Sequence, residues 1–180
     1  MHRQPLLNAL AQYSLNYPSE TDVAERFITF VQEHADCFER SLSSGHITGS
    51  AWVVDAEGQR ALFTHHRKLN RWLQPGGHAD GDPDVHNVSL REAQEESGLH
   101  TFEFVSPHIF DLDAHHIPAR GVEPAHIHYD VRFALRAVGN EPLVISAESN
   151  ELAWFTMAEI AKRFDDESVL RMMRKWERMA

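Results

Sequence analysis

The segment Gly77–Leu99 reads GHADGDPDVHNVSLREAQEESGL and contains the most informative pattern in the sequence. Its second half predicts an α-helix that ends just before Gly98, at a position where helices commonly place a left-handed glycine. Three glutamates of this helix are spaced i, i+3 and i+4, namely Glu92, Glu95 and Glu96. This spacing projects them onto one helix face, where like charges repel and require a cation. Such oxygen ligands suit Mg²⁺ or Mn²⁺, and the glycine-rich approach lets the backbone carbonyl of Gly77 come close to the same ion.

The same stretch resembles the Nudix box. The pattern of that box is a glycine, five residues of any kind, a glutamate, seven residues of any kind, and then Arg-Glu-apolar-any-Glu-Glu-any-Gly-apolar. Eight of its nine specified positions match, and they are Gly77, Arg91, Glu92, Ala93, Glu95, Glu96, Gly98 and Leu99. The ninth departs, because Pro83 stands where the box has its first glutamate. Asp82 followed by Pro83 predicts a helix N-cap with proline at the first helical position.

The resemblance implies a divalent-metal-dependent hydrolase that cleaves a diphosphate linkage in a nucleoside diphosphate derivative or related small molecule. It implies that Glu95 and Glu96 are the chief metal ligands, and that Glu92 is a ligand or the group that orients water. Arg91 and Gly98 would be structural residues of the box. In many Nudix enzymes the general base lies in a later loop, where the candidates are Glu148 and Glu151. A metal ion would neutralise the diphosphate and lower the pKa of water.

Thirteen histidines are an unusual number for this length, and three polar residues alternate along one predicted strand. His126, His128 and Asp130 share one face of that strand, since its apolar residues occupy the other face. We interpret these side chains, together with His78 beside Gly77, as substrate contacts at the mouth of the cleft. A zinc site on the same strand is the alternative, because a His-x-His pair can share a metal ion.

The surrounding sequence predicts a mixed α/β fold. Alternating patterns predict strands over 47–54, 60–64, 101–105, 109–112, 125–138, 143–145 and 152–155, and a short strand near Trp72. Thr156 and Glu159 form a capping-box pattern that opens a helix, and a final amphipathic helix follows. This order suggests an α/β/α sandwich with a mixed sheet, as the resemblance also implies. His115 and His116 are expected in a polar loop.

Before the sandwich, residues 1–44 predict a helical hairpin, and residues 45–180 form the expected hydrolase domain. Tyr17 ends the first helix because Pro18 follows it. Ser19 is the expected N-cap of the second helix, whose apolar stripe continues to Phe38 and carries Cys37 close to it. These helices either cover the sheet or form a homodimer surface, and the sequence leaves both alternatives open.

Charge and cysteine content narrow the function further. A formal charge of -10 repels a phosphate backbone and argues against nucleic acid duplexes and anionic membrane surfaces as partners. A small nucleotide-type diphosphate held through a metal ion is the expected partner. One cysteine forms no internal disulfide, and neither a signal peptide nor a membrane span is recognisable, so we expect a cytoplasmic protein.

Two alternative functions stay open. An isomerase of isopentenyl diphosphate within the Nudix class would use a cysteine beside the site, whereas Cys37 is better explained as a small buried residue. A catalytically impaired Nudix-fold module for ligand binding or regulation is favoured by Pro83 alone. The intact carboxylates Glu92, Glu95 and Glu96 oppose that second alternative.

Overall fold

The computed structural model describes residues 2–139, 141–147 and 149–179. Its first elements are two helices, α1 (Gln4–Asn16) and α2 (Thr21–Glu33), which a short 3-10 turn separates. Eight strands and three more helices follow within the described residues. They are β1 (Gly45–Val54), β2 (Arg60–His66), β3 (Arg71–Leu73), β4 (Gly76–His78), α3 (Val85–Ser97), β5 (Phe102–Phe104), β6 (Asp111–Ile117), β7 (His126–Ala137), β8 (Ser149–Thr156), α4 (Met157–Arg163) and α5 (Glu167–Met179).

The eight strands form one mixed sheet, whose main path is β3-β2-β1-β7-β5. Off this path β4 pairs with β1, β6 with β7, and β8 with β2. The strands β6 and β7 run antiparallel, and their register places His115 directly opposite His128. The strands β2 and β8 are also antiparallel, with His65 opposite Glu151. The predicted mixed α/β fold with N-terminal helices is therefore confirmed.

The described chain folds as two compact units. One comprises residues up to Ser50, Gly77–Ser89 and Ser106–Phe133, and the other comprises Ala51–Gly76, Leu90–Val105 and residues from Ala134 onward. This division does not follow the predicted boundary between residues 44 and 45. The assignment of 1–44 as an extension and 45–180 as the hydrolase domain stays a prediction.

In the first unit the N-terminal helices pack through aromatic side chains. The rings of Phe30 and Tyr129 are stacked with centroids 3.9 Å apart, and Phe27 meets the Tyr129 ring edge-on. The guanidinium of Arg3 donates a hydrogen bond to the carbonyl oxygen of Val31 at the end of α2. These contacts hold α1 and α2 together and place α2 against β7.

In the second unit the carboxyl-terminal half of α3 helps to form the hydrophobic core. The buried members of this core are Ala51, Val53, Leu62, Ala93, Leu99, Leu135 and Ala137. Because Ala93 faces this core, the residues on the opposite side of α3 point outward. The last helix is fixed by Trp176, whose indole N–H donates to the carbonyl oxygen of Gly58 at 3.0 Å.

The start of α3 differs from the prediction. The helix begins at Val85, and its N-cap is Asp84, whose carboxylate accepts the N–H of Asn87 at 3.1 Å. The carbonyl of Asp84 accepts the N–H of Val88, which is the first intrahelical hydrogen bond. Pro83 therefore precedes the N-cap and is not the first helical residue. Asp82 accepts the N–H of Asp84 instead of capping the helix.

The second helix and its surroundings also differ. Ser19 lies in the 3-10 turn, and Glu20 occupies the N-cap position of α2. The helix ends at Glu33, because the backbone of His34 is extended, and further along the carbonyl of Cys37 accepts the N–H of Ile47 at 2.8 Å. Cys37 is therefore not helical, although it is buried as predicted.

Two strand predictions need correction. No strand forms over 143–145 among the described residues, because Pro142 lacks an N–H and the N–H of Val144 donates to Ser97 at the end of α3. In contrast, His115 and His116 do not lie in a loop. They belong to β6, since their backbone pairs with β7.

The capping box predicted at α4 is confirmed, since Thr156 and Glu159 exchange hydrogen bonds between side chain and backbone in both directions. Among the helices of the described chain, none combines the length and the apolar character that a membrane span requires.

Candidate active site and histidine cluster

The acidic face of α3 contains the three predicted carboxylates. Glu96 is buried, with 9% of its surface exposed, and the side chain of Glu92 is 15% exposed. The side chain of Glu95 is more open, at 64%. Burial of a carboxylate is unfavourable without compensating partners or a cation. Glu92, Glu95 and Glu96 thus offer carboxylate oxygens from a single helix, the ligand type that a hard divalent cation prefers.

Arg91 lies beside these carboxylates. Its Nη2 atom donates to Oε1 of Glu92 at 3.0 Å, and its Nε atom is 3.9 Å from Oε1 of Glu95. The guanidinium therefore contacts two carboxylates at once and reduces their mutual repulsion. This placement agrees with the structural role that the resemblance implies for Arg91.

Gly98 ends α3 in the left-handed region, with φ at 72°. Its N–H donates to the carbonyl of Gln94, which closes the last turn of the helix. A Cβ atom at this position would lie 2.5 Å from Cβ of Val144, well inside contact distance. Both the backbone conformation and the close neighbour therefore require glycine here.

The other predicted site residues lie on separate elements. Gly77 is part of β4, and Glu151 is exposed on β8, where it pairs across from His65 on β2. Glu148 lies outside the described residues. Among the predicted site residues of α3, the structure brings Arg91, Glu92 and Glu95 into contact.

A second group of functional side chains, which we call the histidine cluster, lies in the first unit. It contains His46, His78 and His128, and one nitrogen from each ring lies within 4.8 Å of the others. His46 comes from β1, His78 from β4 and His128 from β7. The ring centroids of His46 and His78 are 5.0 Å apart, and those of His46 and His128 are 4.9 Å apart.

Two more histidines flank this cluster. The Nε2 atoms of His126 and His128 are 3.2 Å apart, and Nδ1 of His126 lies 2.9 Å from the carbonyl oxygen of Pro124. On the neighbouring strand, Nδ1 of His115 lies 2.9 Å from a carboxylate oxygen of Asp113. The Pro124 carbonyl can only accept a hydrogen bond, so Nδ1 of His126 is the donor. In the neutral ring, Nε2 of His126 then carries the lone pair.

Burial keeps the cluster uncharged. It lowers the pKa of His46 to about 4, assisted by His78, while the nearby Leu42 backbone opposes the shift. Burial also lowers the pKa of His128 to about 2, with His46 and His78 contributing further. The pKa of His78 is lowered as well, chiefly by burial. Each neutral imidazole then offers one nitrogen lone pair to a ligand.

Asp130, predicted with the histidines as a substrate contact, is buried in a polar network. Its carboxylate accepts hydrogen bonds from Thr48 at 2.9 Å, from Ser50 at 2.6 Å and from Arg132 at 2.7 Å. Arg132 also pairs with Asp111 and Asp113. Burial alone lowers the pKa of Arg132, but these three carboxylates outweigh it and raise the pKa above its usual value.

A cavity of about 260 Å³ lies in the second unit. Its lining includes the carboxylates of Asp55, Glu57 and Glu141, with Arg60 and Trp154 beside them. Acidic side chains outnumber the basic one, so this cavity repels a diphosphate.

Sequence reasoning did not single out His46. It lies just before the strand predicted over 47–54, and nothing in the local spacing connects it to His78 or His128, which come from other strands. The only available signal was the high histidine content.

The sequence was also compared with known protein families. A family model described as the NUDIX domain matches residues 46–176 of this chain. The chain belongs to the Nudix family. The matched range includes the whole box, Gly77–Leu99, and begins after α1 and α2. The enzyme class predicted from the box, a Nudix-type pyrophosphohydrolase, is confirmed through this family.

Solved structures share the Nudix fold. An Ap4A hydrolase of C. elegans in a binary complex superposes with a TM-score of 0.59 at 16% identity, covering 74% of this chain and 96% of that one. The dihydroneopterin triphosphate pyrophosphohydrolase of E. coli gives 0.57 at 15% identity, covering 74% and 96%. The NUDIX domain of Shewanella oneidensis NrtR, complexed with ADP ribose, gives 0.51 at 16% identity, covering 78% and 92%. Comparison with curated protein sequences found no significant match.

Proposed function

We propose that this Nudix protein hydrolyses a diphosphate linkage in a nucleoside diphosphate derivative, using Mg²⁺ or Mn²⁺. The observation that carries the proposal is the acidic face of α3, where the shielded carboxylates of Glu92 and Glu96 accompany the open carboxylate of Glu95. Oxygen donors on a rigid helix match the preference of both ions. The donor set therefore fits the metal that Nudix chemistry requires.

Each residue of the acidic face has a proposed task. Glu95 and Glu96 hold the cation, Glu92 holds it or orients the attacking water, and the carbonyl of Gly77 is a further proposed ligand. Arg91 restrains the carboxylate of Glu92 through the hydrogen bond described above. When bound, the divalent ion neutralises the diphosphate and lowers the pKa of water. This also explains how a chain with a formal charge of -10 can hold an anionic substrate.

We propose Glu151 or Glu148 as the general base. The exposure of Glu151 supports this role, because a base must reach the proton that it removes. Replacing each glutamate by glutamine separates the two, since the variant that lacks the base loses turnover while keeping its KM.

The assignment of His78, His126 and His128 to substrate contact stays a prediction. It is tested by His126→Ala, which would raise KM more than it lowers kcat. For Asp130 the network with Thr48, Ser50 and Arg132 favours a positioning role, since its oxygens already accept three hydrogen bonds. The proximity of the His46, His78 and His128 rings favours a metal site.

The named neighbours suggest which substrates to test. Two of those proteins are named for Ap4A and for dihydroneopterin triphosphate, and the third is complexed with ADP ribose. All three compounds contain phosphoanhydride bonds. We propose a small molecule of this kind as the partner, with no nucleic acid duplex and no membrane. A cytoplasmic location and a homodimer are further proposals.

A screen for metal-dependent turnover tests the function. Nucleotide sugars, dinucleoside polyphosphates, nucleoside triphosphates and ADP ribose are incubated with the protein and Mg²⁺ or Mn²⁺, with chelator as the control. We expect each hydrolysed substrate to give either two phosphorylated products, or one phosphorylated product together with phosphate. This release should occur only when the metal ion is present. Binding of a nucleotide without turnover of any substrate would instead support the impaired regulatory module that Pro83 suggests.

A further inference from the structure

We propose that His46, His78 and His128 form a zinc site in the first unit. The site is separate in composition from the acidic face of α3, because it uses imidazole nitrogens instead of carboxylate oxygens. It does not depend on the proposed hydrolysis, and its test requires no substrate.

The geometry brings three ligands together from three strands. One nitrogen of each ring lies within 4.8 Å of the others. In a tetrahedral zinc site with Zn–N distances of about 2.0–2.1 Å, neighbouring nitrogens are about 3.3–3.4 Å apart. Small side-chain rotations toward a common centre therefore suffice. The Nε2 atoms of His126 and His128, at 3.2 Å, already have this spacing, so His126 is positioned beside the site.

His46 gives an independent indication of a ligand. Only 2% of its surface is exposed, and within the described residues neither ring nitrogen has a hydrogen-bond partner of good geometry. Buried polar groups in native proteins nearly always have a partner, so this ring requires one. A metal ion bound between His46, His78 and His128 satisfies it.

Two histidines beside the proposed ligands are held in the way that zinc ligands usually are. A ligating histidine usually donates its second ring N–H to a carbonyl or carboxylate, which fixes the ring and its tautomer. His126 has this arrangement with the Pro124 carbonyl, and His115 has it with the Asp113 carboxylate. The ring centroid of His115 lies 5.6 Å from that of His128. In the neutral form of each flanking ring, Nδ1 carries the proton and Nε2 carries the lone pair.

The chemical type of the ligand atoms indicates which metal ion the histidine cluster binds. Neutral imidazoles suit zinc and other transition metals, whereas Mg²⁺ prefers oxygen ligands. Three neutral ligands leave the charge of a dication uncompensated at the site. Asp111, Asp113 and Asp130 carry three negative charges around the single cation Arg132, and Asp113 connects this network to His115. The excess negative charge favours a nearby cation.

Direct metal measurements test the site. Tag-free full-length protein is stripped with a chelator, dialysed and titrated with Zn²⁺ alone, and the bound metal is quantified by elemental analysis. We expect one zinc per chain, and Co²⁺ substitution should give the visible bands of a tetrahedral ion. Removal of one ligand in His78→Ala or His128→Ala should weaken binding by at least about 10–100-fold, the loss seen when only an outer partner is removed.

A matched control comes from the same strand pair. His116 is exposed on β6 and adjacent to His115, so His116→Ala removes a histidine without touching the cluster and should retain wild-type zinc affinity. Because His46 is buried and its replacement can impair folding, the half-buried His78 and His128 carry the test. Equal zinc affinity in wild type and both variants would show adventitious binding only and overturn the proposal. So would a wild type that takes up no zinc.

The proposed zinc site and the proposed hydrolysis can be tested independently of each other. Glu96→Gln should abolish turnover and leave zinc binding unchanged. His78→Ala should lose zinc whether or not any substrate of the screen is hydrolysed. A protein that binds zinc through the cluster but hydrolyses nothing would leave this inference intact and contradict the proposed function.

Discussion

Arg91 and Glu92 are neighbours on α3, and their side chains form an ion pair in which Nη2 and Oε1 are 3.0 Å apart. The same guanidinium reaches Glu95 at 3.9 Å. One cation therefore orients part of a three-carboxylate face. This arrangement explains why the box couples an arginine directly to its first helical glutamate.

Replacing Arg91 by glutamine should reduce kcat by about tenfold or more, which corresponds to about 1.4 kcal/mol of barrier. The reason is that Glu92 loses the charged donor that restrains it, while its neighbours repel it more strongly. Arg91→Lys should recover part of the activity, because it restores the charge without the planar fork. Steady-state kinetics of both variants at saturating Mg²⁺ check this, and wild-type kcat in Arg91→Gln would refute the positioning role.

Gly98→Ala should destabilise the protein more than the same change at another left-handed glycine. The left-handed conformation alone costs about 1–2 kcal/mol for a residue with Cβ. At Gly98 the new Cβ would also collide with Val144, whereas at Gly121 nothing lies within 4 Å. Urea denaturation of Gly98→Ala and Gly121→Ala isolates the collision. Equal losses of unfolding free energy in the two variants would show that the Val144 contact is unimportant.

Much of the fold was predictable, because its elements follow local periodicity. The alternation along 125–138 predicts β7 (His126–Ala137) almost to its ends, and the pattern at Thr156 predicts the capping box of α4. The error at Pro83 is local, because Asp82 and Asp84 are both possible N-caps, whereas the error at Val144 comes from a tertiary hydrogen bond. Asp84 is the N-cap of α3 in place of Asp82. The N–H of Val144 donates a hydrogen bond to the end of α3 and not to a neighbouring strand.

The position of Pro83 before the N-cap leads to a paired prediction. Pro83→Glu should change kcat/KM little, because the residue lies outside the helix and the helix is capped by Asp84. Asp84→Ala should lower the unfolding free energy by about 0.5–2 kcal/mol, the usual loss for an N-cap. Kinetics and thermal denaturation of both variants provide the check. A severalfold gain of activity in Pro83→Glu at unchanged stability would favour the impaired-module alternative.

The candidate site was predictable only in part. The acidic face of α3 follows from i, i+3 and i+4 spacing within one helix, so Glu92, Glu95 and Glu96 are visible in the sequence. The histidine cluster is assembled from β1, β4 and β7. Strand order and register decide which histidines meet, and one sequence without its fold contains neither. The burial of Asp130 beside Arg132 was hidden for the same reason.

The turn after β1 should make stability depend on pH. Burial alone raises the pKa of Asp55, but hydrogen bonds from Arg60 and from the N–H of Gln59 hold it below its usual value. A lowered folded-state pKa gives stabilisation that is present above the unfolded pKa, about 3.9, and is lost as the pH falls through the folded value. Asp55→Asn should therefore be less stable than wild type at about pH 7, and the difference should shrink below about pH 4. Urea denaturation at both pH values tests this, and a constant difference would exclude the charge as the cause.

If the carboxylates of α3 hold a divalent cation for hydrolysis, Glu96→Gln should remove most of the turnover. Glutamine keeps the shape of the buried side chain but removes its charge. The measurement is kcat/KM on the best substrate of the screen with Mg²⁺, alongside Glu103→Gln, which alters an exposed glutamate of β5. We predict a loss far above tenfold for Glu96→Gln with the fold intact, and wild-type activity for Glu103→Gln. A loss below about tenfold in Glu96→Gln, or about 1.4 kcal/mol of barrier, would show that Glu96 does not hold the catalytic cation.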